Sequence, residues 1–308
     1  MDTLRLRIPD EFDINLCFQF LRRSPKELLH RLEEDRVLKL LLVDGQQILF
    51  SVRQVKNTLN IDFLKGEPTR LGKETVRKYV HEWFDLETDL KPFYAMARRD
   101  LLLKDLVKKH RGYRIIGQPD LFESLVWAVL GQQINLSFAY SLKQRFVEQF
   151  GESLAHENQK HYLFPSAKNV SKIQPEQLLA LQFSRQKALY TIGIAKAFAE
   201  GRISKVKLAG MALNEAKEEL MKIKGIGNWT ANYALMKTFR YPDAFPLEDA
   251  GLHNAIKNSM GLKAKPDVKR VKRIFQQYKG WEAYATLYLW KSLEDFTSSS
   301  KKGSRDKK

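Results

Sequence analysis

Cysteine is nearly absent from this chain. The single Cys17 in 308 residues excludes a disulfide framework, a four-cysteine iron–sulfur cluster and a thiolate zinc site. Its apolar surroundings make it a packed, reduced side chain. The six histidines (His30, His81, His110, His156, His161 and His253) show no ligand spacing such as H-x-x-x-H, so no metal site is expected. Long apolar runs are missing too. None approaches ~18 residues and no signal peptide opens the chain, so a soluble cytoplasmic protein (nuclear in a eukaryote) without a membrane partner is expected. Acidic residues are few: 36 against 53 Lys and Arg, a net charge of +17. That excess favours a polyanionic partner, nucleic acid first, over solubility alone.

What is present is a globular composition. Hydrophobic residues make up 44% of the chain, enough to build a core over two modest domains. Residues 1–95 read as a small α/β module. "VLKLLLVDGQQILFSVRQVKNTLNIDFL" alternates apolar and polar positions, with breaks at Asp44-Gly45 and Asn57-Thr58. Asp-Gly is a strong hairpin signal, so two or three antiparallel strands are expected before a helix near 73–83. Residues 14–32 read as a further helix. Residues 96–296 read as helical throughout, as an array joined by short loops. In "PDLFESLVWAVLGQQI" the apolar stripe starts just after Pro119, and in "NLSFAYSLKQRFVEQFG" Asn135 is a cap and Gly151 a stop. The tail 297–308, basic and without an apolar anchor, reads as disordered. The fold expected is mostly α with a small N-terminal α/β domain.

Two motifs carry chemistry. "LMKIKGIGNWTANYALM" places Lys224-Gly225-Ile226-Gly227 between two helices. The glycines permit a sharp turn and a close ligand approach, and the following helix offers unpaired N–H groups to an anion. Lys222 and Lys224 add point charges for a phosphate, and Ile226 points to the core. An ordinary helix–turn–helix is the plainer alternative. The second motif, "DAFPLEDAGLHNAI", puts Glu248-Asp249 where a helix begins. Capping alone would account for a carboxylate there.

Taken together, "IKGIGNWTANY" and "FPLEDAGL", about two dozen residues apart, resemble the helix-hairpin-helix Gly/Pro…Asp (HhH-GPD) superfamily of DNA glycosylases. "GQPDLFESLVWAVLGQQINLSFA" and "GWEAYATLYLW" are similar to its AlkA-type 3-methyladenine DNA glycosylases. The likeness runs from Gly112 to Trp290, and the N-terminal module fits the extra domain of that type. It implies a helical glycosylase array around a base pocket, a monomer acting on damaged double-stranded DNA and needing no cofactor. It implies Asp249 as the catalytic carboxylate, with Glu248 the weaker candidate. Trp229 stands where the glycosylase/lyase branch has its Schiff-base lysine, implying a monofunctional enzyme that uses water and leaves an abasic site.

By the same resemblance Trp229, Tyr233 and Trp281 line the base pocket, while Trp127 and Trp290 read as core packing. Gln133 takes the wedge position, or is a plain polar helix end. Lys222, Lys224, Gly225 and Gly227 form the DNA-binding hairpin, whose carbonyls can hold a monovalent cation in this family. His253 reads as structural or close to DNA. Ala250-Gly251 depart from the bulkier AlkA pattern, which would open the pocket. Alkylated purines are the expected substrates; another damaged purine, or a non-catalytic damage sensor, are the alternatives.

Overall fold

The computed structural model describes residues 3–303, with side chains through Asp295. An N-terminal antiparallel sheet is built from β1 (Thr3–Arg7), β2 (His30–Leu32), β3 (Arg36–Val43), β4 (Gln46–Val55) and β5 (Thr58–Lys65), in the order β1-β5-β4-β3-β2. The β3–β4 turn is Asp44-Gly45, both at positive φ (50° and 77°), the type I′ geometry whose twist matches the strands. Inward-facing Val37, Ile48, Phe50, Val52, Leu59 and Ile61 pack on α1 (Ile14–Leu21) and α2 (Arg70–Trp83). Cys17 lies fully inside this layer, and burial pushes its thiol up to about 12.

The sheet has five strands rather than two or three, and α1 is shorter than the 14–32 helix expected. Helix ends at Leu21 because Pro25 lacks an N–H and drives Ser24 from the α region. Residues 30–32 then pair with β3 as an edge strand.

The helical core is built from Leu90 onward, with Leu16 of α1 reaching into it. Its first members are α3 (Lys91–Ala97), α4 (Lys104–Lys109), α5 (Leu121–Gly131) and α6 (Leu136–Phe150). Asn135 caps α6, accepting from Phe138 N at 2.9 Å, and Gly151 ends it. The region is not wholly helical. Between α6 and α7 (Ala167–Val170) stands a hairpin, β6 (Ser153–His156) with β7 (Gln159–Tyr162), turning on Glu157 and Asn158 at φ 47° and 60°. Its strands are too short and polar to alternate clearly.

Then come α8 (Pro175–Leu179), α9 (Arg185–Ala199), α10 (Lys205–Ala209), α11 (Leu213–Met221), α12 (Asn228–Phe239), α13 (Ala250–Ser259), α14 (Val268–Phe275) and α15 (Glu282–Gly303). No Gly or Pro interrupts α15 before Gly303, so it enters the 297–308 segment expected to be disordered; residues 304–308 lie outside the described ones. No described helix is long and apolar enough to cross a membrane. Three packings set up the site: α12 against α5, α12 against α11, and α13 against α15.

Candidate active site and nucleic-acid interface

Asp249 is the N-cap of α13. Pro246 prevents helix from continuing into this point, and an N-cap carboxylate accepts from the free N–H groups of the first turn. Leu252 N donates to Oδ1 at 2.7 Å. Two indoles complete the set: Trp290 Nε1 donates to Oδ1 at 2.7 Å, and Trp229 Nε1 donates to Oδ2 at 3.1 Å. Donors on α12, α13 and α15 therefore fix the plane of the carboxylate. Oδ2, with one of these three bonds, retains accepting capacity.

Trp290 departs from its expected role. It is partly buried, and α15 lying along α13 brings it to Asp249 as a direct partner. Gly251 belongs to the same fit: a Cβ there would stand 3.0 Å from Asp249 Oδ1 and 3.4 Å from Trp290 Nε1. The space left by the small residue is thus bordered by a hydrogen-bonded pair.

Trp229 and Tyr233, one turn apart on α12, stack with centroids 5.4 Å apart and planes at 26°. Trp290 lies 6.3 Å from Tyr233. Trp127 is buried, as packing predicted, but its Nε1 donates to Tyr233 Oη at 3.1 Å and its ring meets Tyr140 at 4.8 Å. Burial pushes the Tyr233 phenol up, so it remains a neutral hydroxyl at physiological pH. Trp281 is not brought to this cluster. Its ring packs on Phe93 and Tyr284 at 5.7 and 6.1 Å, about 13 Å along the helix axis from Trp290.

The hairpin between α11 and α12 runs from Lys222 to Gly227. Gly225 has φ +96°, and a Cβ on it would lie 2.3 Å from the Tyr190 ring of α9. Only glycine fits that approach. Gly227 is the N-cap of α12 and makes no side-chain cap, while a Cβ there would meet open space. The first N–H groups of α12 are thus left for an anion. Lys222 and Lys224 are exposed beside it, Lys222 paired with Glu219, and Ile226 is buried in the core.

Gln132 docks the hairpin on the end of α5, donating to Gly225 O at 3.1 Å and Thr230 Oγ1 at 2.9 Å. Lys187 Nζ caps α5 by donating to Val129 O and Gln132 O at 2.9 and 2.7 Å. Just beyond, Gln133 is exposed at φ +57°, a left-handed step that leads the chain out of the helix.

Glu248 is occupied: Asn228 Nδ2 donates to its two oxygens at 2.9 and 3.0 Å. His253 braces the same loop, its ring nitrogens 2.8 Å from Leu247 O and 2.9 Å from Pro266 O. Among the described residues no group of three or more His, Cys, Asp or Glu could hold a metal ion. Gln132, Tyr140 and Lys187 had no signal in the sequence; only tertiary placement reveals them.

Residues 126–280 match the family described as HhH-GPD superfamily base excision DNA repair protein, and residues 4–125 match the 8-oxoguanine DNA glycosylase N-terminal domain. A DNA-3-methyladenine glycosylase of Bacillus subtilis is 41% identical over 95% of this chain and 97% of its own length. Among solved structures, a 3-methyladenine DNA-glycosylase from Archaeoglobus fulgidus is similar at a TM-score of 0.80 and 23% identity, covering 93% of this chain and 97% of that one. An 8-oxoguanine glycosylase/lyase of Clostridium acetobutylicum, in complex with double-stranded DNA, has a TM-score of 0.77 at 18% identity over 96% of this chain and 97% of its own.

Proposed function

This chain belongs to the HhH-GPD superfamily of base excision DNA repair proteins and is a DNA glycosylase, and on that premise we propose that it is monofunctional and excises alkylated purines of the 3-methyladenine and 7-methylguanine type. The observation that carries the reading is the Trp229 indole, which donates to Asp249 at 3.1 Å and which, by the family resemblance, stands where the lyase branch has its lysine. An indole supplies no nucleophilic amine. The lysine two turns on, Lys237, is 3% exposed with its amine over the Phe20 ring.

The partner is double-stranded DNA, engaged by a single copy of the protein. Phosphate sits on the Gly225–Gly227 turn beside Lys222 and Lys224, and Gln133 fills the gap left by the flipped base, whose extrusion costs roughly a few kcal/mol. The base stacks beside Trp229 and Tyr233. A cationic alkylpurine gains a cation–π attraction there on the order of 1–2 kcal/mol. It also leaves without a general acid, because it departs as a neutral molecule carrying the electron pair of the C1′–N bond. Positive charge develops on the sugar against Asp249, water adds to C1′, and its proton passes to the carboxylate. The product is an abasic site.

Purified protein should release 3-methyladenine or 7-methylguanine from methylated DNA. Asp249→Asn should still bind while release falls about 10³-fold. No free base from excess wild-type enzyme would overturn the reading. Borohydride should trap no covalent adduct; a trapped adduct would refute attack by water. The match of residues 4–125 to an 8-oxoguanine DNA glycosylase domain favours a second reading, an oxidised purine substrate. Competition among defined lesion duplexes separates the two.

A further inference from the structure

A dense run of charge lies outside the two motifs. From Lys257 to Arg273, seven Lys and Arg stand against one acid, Asp267. Five of them, Lys263, Lys265, Lys269, Arg270 and Arg273, line an open groove of about 640 Å³ where the loop after α13 meets α14. All five are exposed, and among the described residues none of them makes an ion pair. Asp267, the one carboxylate on the wall, caps α14, its Oδ1 accepting from Arg270 N at 2.7 Å. Five cations minus that carboxylate leave the groove four positive charges in excess. Like charges gathered in one groove raise a positive potential, and a polyanion is what relieves it.

The fold ties this face to the Asp249 loop. On α14 Val271 and Phe275 are buried, and Phe275 stacks on Phe245 with centroids 4.4 Å apart and planes at 16°. His253 makes a second tie, since its one ring reaches Leu247 O at 2.8 Å and Pro266 O at 2.9 Å. Phe245 and Leu247 both lie within four residues of Asp249. The hairpin side meets the same loop through other residues. Asn228 holds Glu248, and Trp229 holds Asp249. One short loop thus carries the Asp249 carboxylate and joins two cationic surfaces, the hairpin with Lys222 and Lys224 and the α14 groove.

We infer that the groove formed by Lys263, Lys265, Lys269, Arg270 and Arg273 is a second phosphate clamp, which grips the backbone of the same duplex apart from the phosphate at the hairpin. A duplex held at one point can pivot about it. A second grip on the same loop fixes the sugar against Asp249. Contacts of this kind position the duplex and carry no base readout. The inference rests on duplex DNA as the partner and not on the alkylpurine reading.

The test is a salt titration of the full chain with a duplex in which tetrahydrofuran, an uncleavable abasic analogue, replaces the damaged nucleotide. The double variant Lys269→Ala/Arg273→Ala should weaken binding about tenfold at low salt and make the slope of log K against log salt shallower by about two. Lys272→Ala removes the same charge from α14 outside the groove and should keep the wild-type slope. Hydroxyl-radical footprinting should show two protected stretches of backbone, one lost in the double variant and the other in Lys224→Ala. An unchanged slope in the double variant would overturn the clamp. So would equal flattening by Lys272→Ala, which is the mark of the overall field. A wild-type footprint confined to a single stretch would overturn it with no variant needed. A wild-type protein that binds no duplex would overturn DNA as the partner as well.

Discussion

The two oxygens of Asp249 are held unequally. Oδ1 takes a backbone N–H and the Trp290 indole, while Oδ2 takes the Trp229 indole alone. Trp229 therefore has two separable roles in the proposed reaction, a stacking face for the base and a donor to the acid. Trp229→Phe keeps a ring and deletes the donor. A hydrogen bond to a charged group is worth about 1.5–3 kcal/mol, so single-turnover excision should slow roughly 10- to 100-fold while DNA affinity stays close to wild type. Trp290→Phe leaves Oδ1 with the Leu252 N–H alone and should also slow excision. Because both indoles orient one carboxylate, the double variant should lose less than the product of the single losses. Losses that multiply independently would show that the indoles do not act through Asp249 together.

At the level of elements, the hairpin and the α13 N-terminus were legible because both are local: glycines, a proline, a cap and the charges beside them lie within a few residues. What the sequence hid was pairing across the fold. Trp290 and Trp281 occupy similar aromatic positions near α15, and nothing in their neighbours says which one meets Asp249. The α13–α15 packing decides it. The β6–β7 hairpin was invisible because its short strands carry no clean alternation, and α1 was overread where Pro25 stops it. Gly225 shows how local and distant demands combine. The turn asks for positive φ, which was legible, whereas the Tyr190 ring 2.3 Å from a would-be Cβ was not. Gly225→Ala should therefore push α9 and the hairpin apart, costing about 2–3 kcal/mol of stability and weakening DNA binding. The check is a denaturant melt with a binding titration; an unchanged melt would mean that Tyr190 moves aside freely.

Two properties belong to the whole molecule: the seam between sheet and helices, and the net charge. At the seam, burial pushes the Glu27 carboxyl up, but the Lys143 ammonium at 3.0 Å outweighs it and brings the value down to about 2. The folded state then holds this proton less tightly than the unfolded state does. Its contribution to stability is complete above the ordinary value of 4.5 and is lost as pH falls from there through about 2. Glu27→Gln should lower stability at neutral pH and flatten the acid limb of a melting-temperature profile; an unchanged limb would remove Glu27 from the seam's energetics. The charge of +17 acts over a longer range. A field of that size speeds encounter with DNA, but only phosphates that are actually neutralised release counterions, with a slope of log K against log salt of about −0.9 per contact. Exposed Lys224, beside the open Gly227 backbone, should account for one of them. Lys224→Ala should weaken binding to all duplexes alike, damaged or not, and make the slope shallower by about one. If affinity falls while the slope holds, Lys224 steers DNA through the field and makes no phosphate contact, and the anchor must then rest on the N–H groups of α12.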